Sequence, residues 1–277
     1  MTYPGGKGSV YQHIINQMPP HRIYIELFLG GGSVMLNKRS ATLNIGIDLD
    51  CQALEDFSWS IATNGDRCRI HSLDMAMDHI AMKDGASASP KMAIRTNRPA
   101  HTAKNGDSAG DIAKNDGVTS LVWGDAIQLL EQWPFRGDEL IYADPPYLRS
   151  VRSSKRPLYE HEFWTDSQHK SLLRLLKKLP CHVILSGYWS KLYASILSDW
   201  RTVTYPAVKR SGETVTEYLW CNFPEPKQLH DYRYLGDDFR ERERIKRKKK
   251  RWIAKLKAMP RLERLAILAE IEESGLL

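Results

Sequence analysis

Cysteine is scarce in this sequence, and the four that occur, Cys51, Cys68, Cys181 and Cys221, form no C-x-x-C pair. This spacing argues against a zinc site and a disulfide framework, and it is typical of reduced thiols in a cytosolic protein. The chain also lacks an apolar run of about 18 residues and a charged-then-apolar leader. We therefore expect neither a membrane span nor a secretory signal, and a cytoplasmic protein without a metal.

Two glycine-rich phosphate motifs are missing as well. The opening Tyr3-Pro4-Gly5-Gly6-Lys7-Gly8 is not a P-loop, because Met1 and Gly8 occupy the places that require Gly and Ser or Thr. Gly30-Gly31-Gly32 does not follow the G-x-G-x-x-G pattern, so a dinucleotide is not indicated. Both stretches still allow a backbone to approach a small ligand closely, although a lone Gly-Gly-Lys is more often an ordinary turn.

Positive charge is concentrated in one segment. Of the 40 basic and 33 acidic residues, eleven basic and two acidic ones lie in residues 239–257, which leaves 29 and 31 for the rest of the chain. A polyanion is the natural partner for such a segment, and a solvated helix that aids solubility is the alternative. The length of 277 residues allows one to two domains, and a hydrophobic content of 42% is ordinary for a globular protein.

Three predicted strands end in carboxylates or glycines. Residues 22–29 predict a strand that runs into Gly30-Gly31-Gly32 and a helix that opens at Ser33, and Glu26 could face a cationic amino group. Residues 43–50 predict a second strand, where Asp48 suits ribose hydroxyls and Asp50 suits a helix N-cap better. After a helix and a strand at 68–73, residues 120–126 predict another strand, whose Asp125 suits either an adenine or an N-cap. These features describe an adenosine site that S-adenosylmethionine fits.

Residues 140–147 combine a buried strand with a stiff polar turn. The apolar run from Leu140 to Ala143 ends at Asp144-Pro145-Pro146-Tyr147, because proline cannot donate to a strand ladder. A carboxylate (Asp144) and a carbonyl (Pro145) can each accept one N–H of an exocyclic amine and hold its lone pair towards a methyl donor. Tyr147 offers a flat face for a base taken out of its stack. Taken alone, the four residues are as often simply a turn.

The remainder predicts further strands, helices and basic loops. Thr165 and Gln168 form a capping box before a leucine-rich helix, in which His169 is more suited to structure than to catalysis. Residues 182–186 predict a strand, residues 190–200 a helix, and residues 202–208 with 216–223 an antiparallel hairpin. The candidate contacts to nucleic-acid phosphates lie in the loop after the Asp-Pro-Pro-Tyr turn, at the hairpin tip and in the basic segment. They are Arg149, Arg152, Lys155, Arg156, Lys209, Arg210, Lys248, Lys249, Lys250 and Arg251.

With these motifs in order, the chain resembles the DNA adenine methylase family in its phage and prophage form. The shared pieces are Pro-Gly-Gly-Lys, residues 26–33, Asp48, Gly124-Asp125, Asp144-Pro-Pro-Tyr147, Ser186-Gly-Tyr188 and Glu217 to Asn222. They cover roughly residues 1–224. The resemblance implies an α/β Rossmann-like methyltransferase fold with a mixed seven-stranded sheet and helices on both faces. It also implies that Asp144, Pro145, Pro146 and Tyr147 hold a flipped adenine. Enzymes that methylate the amine of cytosine more often have Ser at the first of these four positions.

The cofactor implied by the resemblance is S-adenosylmethionine. The residues implied to hold it are Tyr3, Gly6, Lys7, Glu26, Phe28, Gly30, Gly32, Ser33, Asp48, Asp125 and Asp144. Many members carry a folded target-recognition domain where this chain has a low-complexity segment, residues 84–118. Target choice would then be relaxed, or would fall to the loop at 149–163 and the hairpin tip at 209–212.

We thus expect a catalytic domain over residues 1–226 and a basic helical extension over residues 227–277. The expected activity is methylation of the adenine N6 amine in DNA, inside a bacterial or phage-infected cell, by direct transfer. The sequence leaves open whether the role is restriction protection or something broader. It also leaves open whether the final helix pair binds nucleic acid or forms a homodimer through the leucines of the last helix. Two alternatives stay open, an RNA adenine methyltransferase and a catalytically inactive DNA-binding module.

Overall fold

The computed structural model describes residues 6–62, 68–82, 117–148, 150–151, 165–209 and 212–275. The strands are β1 Ile23–Leu27, β2 Leu43–Asp48, β3 Cys68–Ser72, β4 Val118–Trp123, β5 Glu139–Ala143, β6 His182–Gly187, β7 Arg201–Val208 and β8 Thr214–Cys221. The helices are α1 Tyr11–Ile15, α2 Ser33–Asn37, α3 Cys51–Ala62, α4 Leu73–Met82, α5 Ala126–Gln132, α6 Asp166–Leu176, α7 Lys191–Ile196, α8 Phe239–Ala258 and α9 Arg261–Glu273.

One mixed sheet organises the chain. Its strand order is β3-β4-β2-β1-β5-β6-β8-β7, with β8 antiparallel to both β6 and β7 and the other pairs parallel. The architecture is the predicted α/β Rossmann-like fold. The sheet has eight strands, however, one more than the seven that the resemblance implied. The strand predicted at residues 68–73 is β3, which lies at one edge of the sheet and pairs in parallel with β4.

Two apolar layers cover the sheet. One face packs against α4 to α7 through residues such as Leu129, Leu172 and Leu173, and the other packs against α1 to α3 through Ile14, Val34 and Phe57. The central strand β5 is buried along its whole length, as its apolar sequence requires. Because the described helices cover both faces, we expect ligands at the ends of the strands.

Several local predictions are confirmed and several are wrong. The capping box of Thr165 and Gln168 opens α6, and Asp50 rather than Asp48 caps α3. The helices expected at residues 10–18 and 190–200 are shorter, and α4 was not predicted at all. Residues 84–116 of the predicted insert lie outside the described residues, but Val118, which was assigned to the insert, begins β4.

The chain after the hairpin returns to the body before it forms α8. We call residues 229–236 the strap. The His230 backbone N–H donates to the Met18 carbonyl at 2.9 Å, and the His230 ring stacks on His21 with centroids 3.8 Å apart. Asp231, 2% exposed, accepts from the Arg39 backbone N–H at 2.8 Å. The boundary at residues 226 and 227 stays a prediction, and the strap is packed against the sheet-bearing part of the chain.

The last two helices are exposed. Neither α8 nor α9 buries a residue, and Leu262, Leu265 and Leu268 of α9 lie at the surface. The homodimer through this leucine face stays a prediction. No described helix is long and apolar enough to cross a membrane.

Candidate active site

The strand register brings the carboxyl ends of four neighbouring strands into one row. Leu27 of β1 pairs with Ile47 of β2 and with Ala143 of β5, and Ala143 pairs with Leu185 of β6. The next residue on each strand is therefore Phe28, Asp48, Asp144 and Ser186. Since β2 and β5 lie on opposite sides of β1, this row crosses the point where the strand order reverses, which is where open α/β sheets bind ligands.

Asp144 is held by two partners, one at each carboxylate oxygen. The Ser186 hydroxyl donates to Oδ1 at 2.7 Å, and the Lys7 ammonium lies 3.0 Å from Oδ2. Ser186 is fully buried and its hydroxyl is also 3.0 Å from the hydroxyl of Tyr142. The carboxylate is thus fixed in orientation, while Asp144 itself stays partly exposed at the edge of the sheet.

Glu217 is the second carboxylate of this cluster. Its Oε2 accepts from the Tyr147 hydroxyl at 2.9 Å and from the Tyr205 hydroxyl at 3.4 Å, and it lies 3.3 Å from the Lys7 ammonium. Lys7 also donates to the Tyr147 hydroxyl at 2.5 Å. One buried lysine therefore connects the Asp-Pro-Pro-Tyr turn with β8.

The cluster forms because its members share one face of the sheet. Glu217 shares one face of β8 with Val215 and Leu219, whose side chains belong to the layer beneath α1. The helix α1 packs on that layer through Ile14 and Ile15, and the turn before it carries Lys7 over the strand ends. This packing places a buried cation between buried Glu217 and partly exposed Asp144.

The two carboxylates control the charge of Lys7. Burial alone would lower the pKa of the Lys7 ammonium, but the nearby Asp144 and Glu217 hold that pKa well above its ordinary value. Burial, reinforced by Asp144, raises the pKa of Tyr147 well above its ordinary value. Lys7 is therefore a cation and Tyr147 a neutral hydroxyl over the physiological range.

The turn after β1 has a backbone that few side chains tolerate. Phe28, Gly30 and Gly32 have φ of 57°, 48° and 55°, in the left-handed region. A Cβ at Gly32 would lie 2.1 Å from a ring carbon of Phe57. The Gly30 N–H donates to Asp48 Oδ2 at 2.7 Å, so the turn is fastened to the end of β2.

Glu26 lies beneath this turn and is 3% exposed. It accepts from the Tyr24 hydroxyl at 2.8 Å and from the Met35 backbone N–H at the start of α2. Burial raises the pKa of Glu26 to about 8, and it lowers the pKa of the nearby Lys38 to about 7. A cation brought to Glu26 would favour its charged form, which is consistent with the predicted contact to an amino group.

The ends of β2 and β4 supply two further acids in different settings. Asp48 Oδ1 accepts from the Asp50 N–H at 3.0 Å, and burial raises the pKa of Asp48. Asp125 Oδ1 accepts from the N–H groups of Ile127 and Gln128 and caps α5, which is one of its two predicted roles. Beside them Trp123 is 53% exposed, and its indole N–H donates to the Leu49 carbonyl at 3.1 Å.

These donor and acceptor groups fit S-adenosylmethionine. The positive-φ turn allows close backbone approach, Asp48 has lone pairs left for ribose hydroxyls, and Trp123 presents an exposed ring surface beside it. Gly6 and Ser33 lie at the surface of the same edge, while Lys7 contacts the Asp-Pro-Pro-Tyr turn. Tyr3 lies outside the described residues. No described group of three or more His, Cys, Asp or Glu residues could hold a metal ion.

The predicted nucleic-acid contacts are placed in part. Lys209 lies at the hairpin tip, where its ammonium pairs with Glu213 at 3.0 Å and lies 5.9 Å from the ring centroid of Tyr188. Tyr188 in turn packs on Tyr147 with ring centroids 4.5 Å apart. Lys248 to Arg251 are exposed on α8. Arg149, Arg152, Lys155, Arg156 and Arg210 lie outside the described residues.

Three residues of the cluster were given no role by the sequence. They are Ser186, Tyr205 and Glu217, although two of them lie in stretches that the resemblance quoted. A signal was present for Glu217, because it interrupts the apolar alternation of Val215 and Leu219 on the inward face of a strand. A lone carboxylate at such a position requires a buried partner.

One family model matches most of the chain. The model of the D12 class N6 adenine-specific DNA methyltransferase family matches residues 3–48 and 82–211. No curated protein matches the chain.

Three solved structures that resemble the chain are named as methyltransferases or putative methyltransferases. A putative RNA methyltransferase from Pyrococcus horikoshii is 10% identical over 81% of this chain and 84% of its own, with a TM-score of 0.40. An rRNA methylase from Streptococcus thermophilus is 11% identical over 82% and 99%, with a TM-score of 0.40. A putative methyltransferase from Streptococcus mutans, in complex with SAH, is 12% identical over 76% and 94%, with a TM-score of 0.35.

Proposed function

The chain belongs to the D12 class N6 adenine-specific DNA methyltransferase family, and from that premise we propose that it methylates the N6 amine of adenine in DNA after flipping the base. The observation that carries the proposal is the position of Asp144. It lies at the end of the central strand β5, directly beside the positive-φ turn that follows β1, and Ser186 fixes its orientation. When bound, S-adenosylmethionine supplies an electrophilic methyl group.

The protein's task is to orient a weak nucleophile. The N6 nitrogen shares its lone pair with the ring, so hydrogen bonds from its two N–H groups to Asp144 and to the Pro145 carbonyl hold that lone pair in the direction of transfer. The negative charge of Asp144 also stabilises the positive charge that develops on nitrogen. Tyr147 supports the extruded base, whose unstacking costs a few kcal/mol.

Lys7 changes partner in this proposal. Both oxygens of Asp144 are engaged, Oδ1 by Ser186 and Oδ2 by Lys7. An amine that binds Oδ2 displaces the ammonium, and Glu217 at 3.3 Å is the carboxylate that then neutralises it. The buried charge of Lys7 therefore remains paired throughout.

The test is transfer of labelled methyl from S-adenosylmethionine to unmethylated DNA, with nucleoside analysis of the product. We expect N6-methyladenine from the wild type, none from Asp144→Ala, and wild-type activity from Asp199→Ala, which removes an exposed carboxylate paired with Lys177. Matched RNA oligonucleotides form the second arm. Transfer to RNA alone, or no transfer by a folded protein that binds the cofactor, would overturn the proposal and favour the RNA enzyme or the inactive binding module.

A further inference from the structure

The outer face of α8 carries a continuous row of basic side chains. At 3.6 residues per turn, six of its basic residues fall within about one third of the helix circumference. They follow one another at spacings of four, three, one, three and four residues, and all are exposed. They are Arg240, Arg244, Arg247, Lys248, Arg251 and Lys255, which we call the basic face.

The opposite side of α8 faces the strap. Arg242 donates to the Gly236 carbonyl at 3.3 Å, and Lys249 donates to the Tyr232 carbonyl at 2.9 Å. Ile245, between them on the same side, is partly buried. Because these contacts fix the rotation of the helix about its axis, the basic face points away from the body.

The basic face has little acidic compensation. The two acidic residues of the helix, Glu241 and Glu243, flank the face, and they pair with Arg244 at 3.1 Å and with Lys246 at 3.4 Å. Exposed pairs of this kind contribute less than about 1 kcal/mol and are easily exchanged for another anion. The face therefore retains a strong excess of positive charge.

The start of α8 is connected to the active site through four aromatic rings. Tyr205, which donates to Glu217, stacks on His13 with ring centroids 5.0 Å apart. The charges of Arg242 and Asp237 both act on the pKa of His13, which burial lowers. Tyr11, on the same helix as His13, packs on Tyr234 of the strap at 5.3 Å. The helix consequently begins on the flank of the site.

We propose that the basic face binds the phosphate backbone of duplex DNA beside the target base, as a sequence-independent second contact. From Arg240 to Lys255 the face extends about 22 Å, the length of six to seven base pairs. Charge complementarity selects this occupant, since a row of cations matches a row of phosphates and carries no groups arranged to read bases. The choice of DNA as the polyanion rests on the proposed function. The face itself lies outside the residues that the family model matches.

The experiment measures how duplex DNA binding by the full-length protein depends on salt. The basic-face variant combines Arg247→Gln, Lys248→Gln, Arg251→Gln and Lys255→Gln, and glutamine preserves helix propensity. A charge-matched control removes four exposed cations from α6, its C-terminal end and α7. It combines Lys170→Gln, Arg174→Gln, Lys178→Gln and Lys191→Gln.

In the basic-face variant we expect the slope of log affinity against log salt to be shallower by about 3 to 4, because each lost phosphate contact removes about 0.9 from its magnitude. The wild type then loses roughly 100-fold more affinity than that variant between about 50 and 200 mM salt. The control keeps the wild-type slope. Circular dichroism checks that α8 stays helical in the basic-face variant.

Equal slopes for the wild type and the basic-face variant would overturn the inference. It would also be overturned if the variant lost affinity only for duplex RNA or for anionic lipid vesicles, tested in parallel. Binding is measured without methyl transfer, so an enzyme that binds duplex DNA through this face but methylates nothing would contradict the proposed function and leave the basic face intact.

Discussion

Glu217 offers the sharpest test of how the site works. In Glu217→Gln the shape of the side chain is preserved, but the negative charge that faces Lys7, Tyr147 and Tyr205 is lost. Among the described residues Lys7 then retains Asp144 as its carboxylate partner. The ammonium competes more strongly with the target amine for Asp144 Oδ2, and Tyr147 loses a charged acceptor.

The magnitude follows from the kind of interaction removed. A hydrogen bond to a charged group contributes about 1.5–3 kcal/mol. If that interaction is made in the transition state, its loss lowers kcat/KM for DNA by about 10- to 150-fold. We expect the fall mainly in kcat, because the ammonium obstructs the reacting amine rather than the binding of the duplex.

The assay combines steady-state methyl transfer with a separate titration of S-adenosylmethionine. The control is Glu213→Gln, which neutralises an exposed carboxylate on the same hairpin. A kcat/KM within about threefold of wild type would refute the reasoning. An equal loss in cofactor affinity with unchanged kcat would instead place Lys7 at the cofactor, the role that the sequence resemblance implied.

Three further predictions concern the support of the site. Ser186→Ala should lower kcat about tenfold or more, with cofactor affinity unchanged, because Asp144 Oδ1 loses its only described hydroxyl donor; retention of kcat would contradict this. Glu26 has a pKa of about 8 in the folded protein, above its unfolded value. It should therefore stabilise the fold most at acidic pH, and urea titrations should show less stability at pH 7 than at pH 5, by at most ~1.4 kcal/mol per pH unit, with Glu26→Gln removing that slope. Gly32→Ala should destabilise the fold by about 2–5 kcal/mol, from the left-handed φ and the clash with a ring, whereas Gly212→Ala, with positive φ but open space, should cost about 1–2; equal denaturation midpoints for the pair would exclude the clash.

The parts of the site that the sequence predicts are those determined within a few residues. The Asp144-Pro145-Pro146-Tyr147 turn is local, since an apolar strand and two prolines specify both its position and its stiffness. The N-cap of Asp50 and the capping box of Thr165 are local for the same reason. The alternation of strands and helices likewise predicts a mostly parallel sheet before any pairing is known.

The parts that the sequence does not predict depend on contacts between distant segments. Lys7 and Tyr147 are 140 positions apart, and Tyr147 and Glu217 are 70 apart. These three residues come together because α1 packs on the face of the sheet formed by β5, β6 and β8. The helix α4 was missed because its residues follow a short strand without a glycine or proline to separate them. The N-cap was one of the two roles predicted for Asp125, but spacing alone could not distinguish it from a contact to adenine.

In the proposed function, Lys7 is the partner of Asp144 until the neutral amine binds. Lys7 is buried, so its ammonium needs a carboxylate partner, and this need conflicts with the release of Asp144 to an amine. Glu217 resolves this conflict because it is a second carboxylate at nearly the same distance. The Lys7 ammonium lies 3.3 Å from Glu217 Oε2 and 3.0 Å from Asp144 Oδ2. The ammonium can therefore move from one carboxylate to the other without ever being left unpaired in a buried site. Glu217 lies on β8, beyond β6, whereas the positive-φ turn follows β1 on the other side of β5.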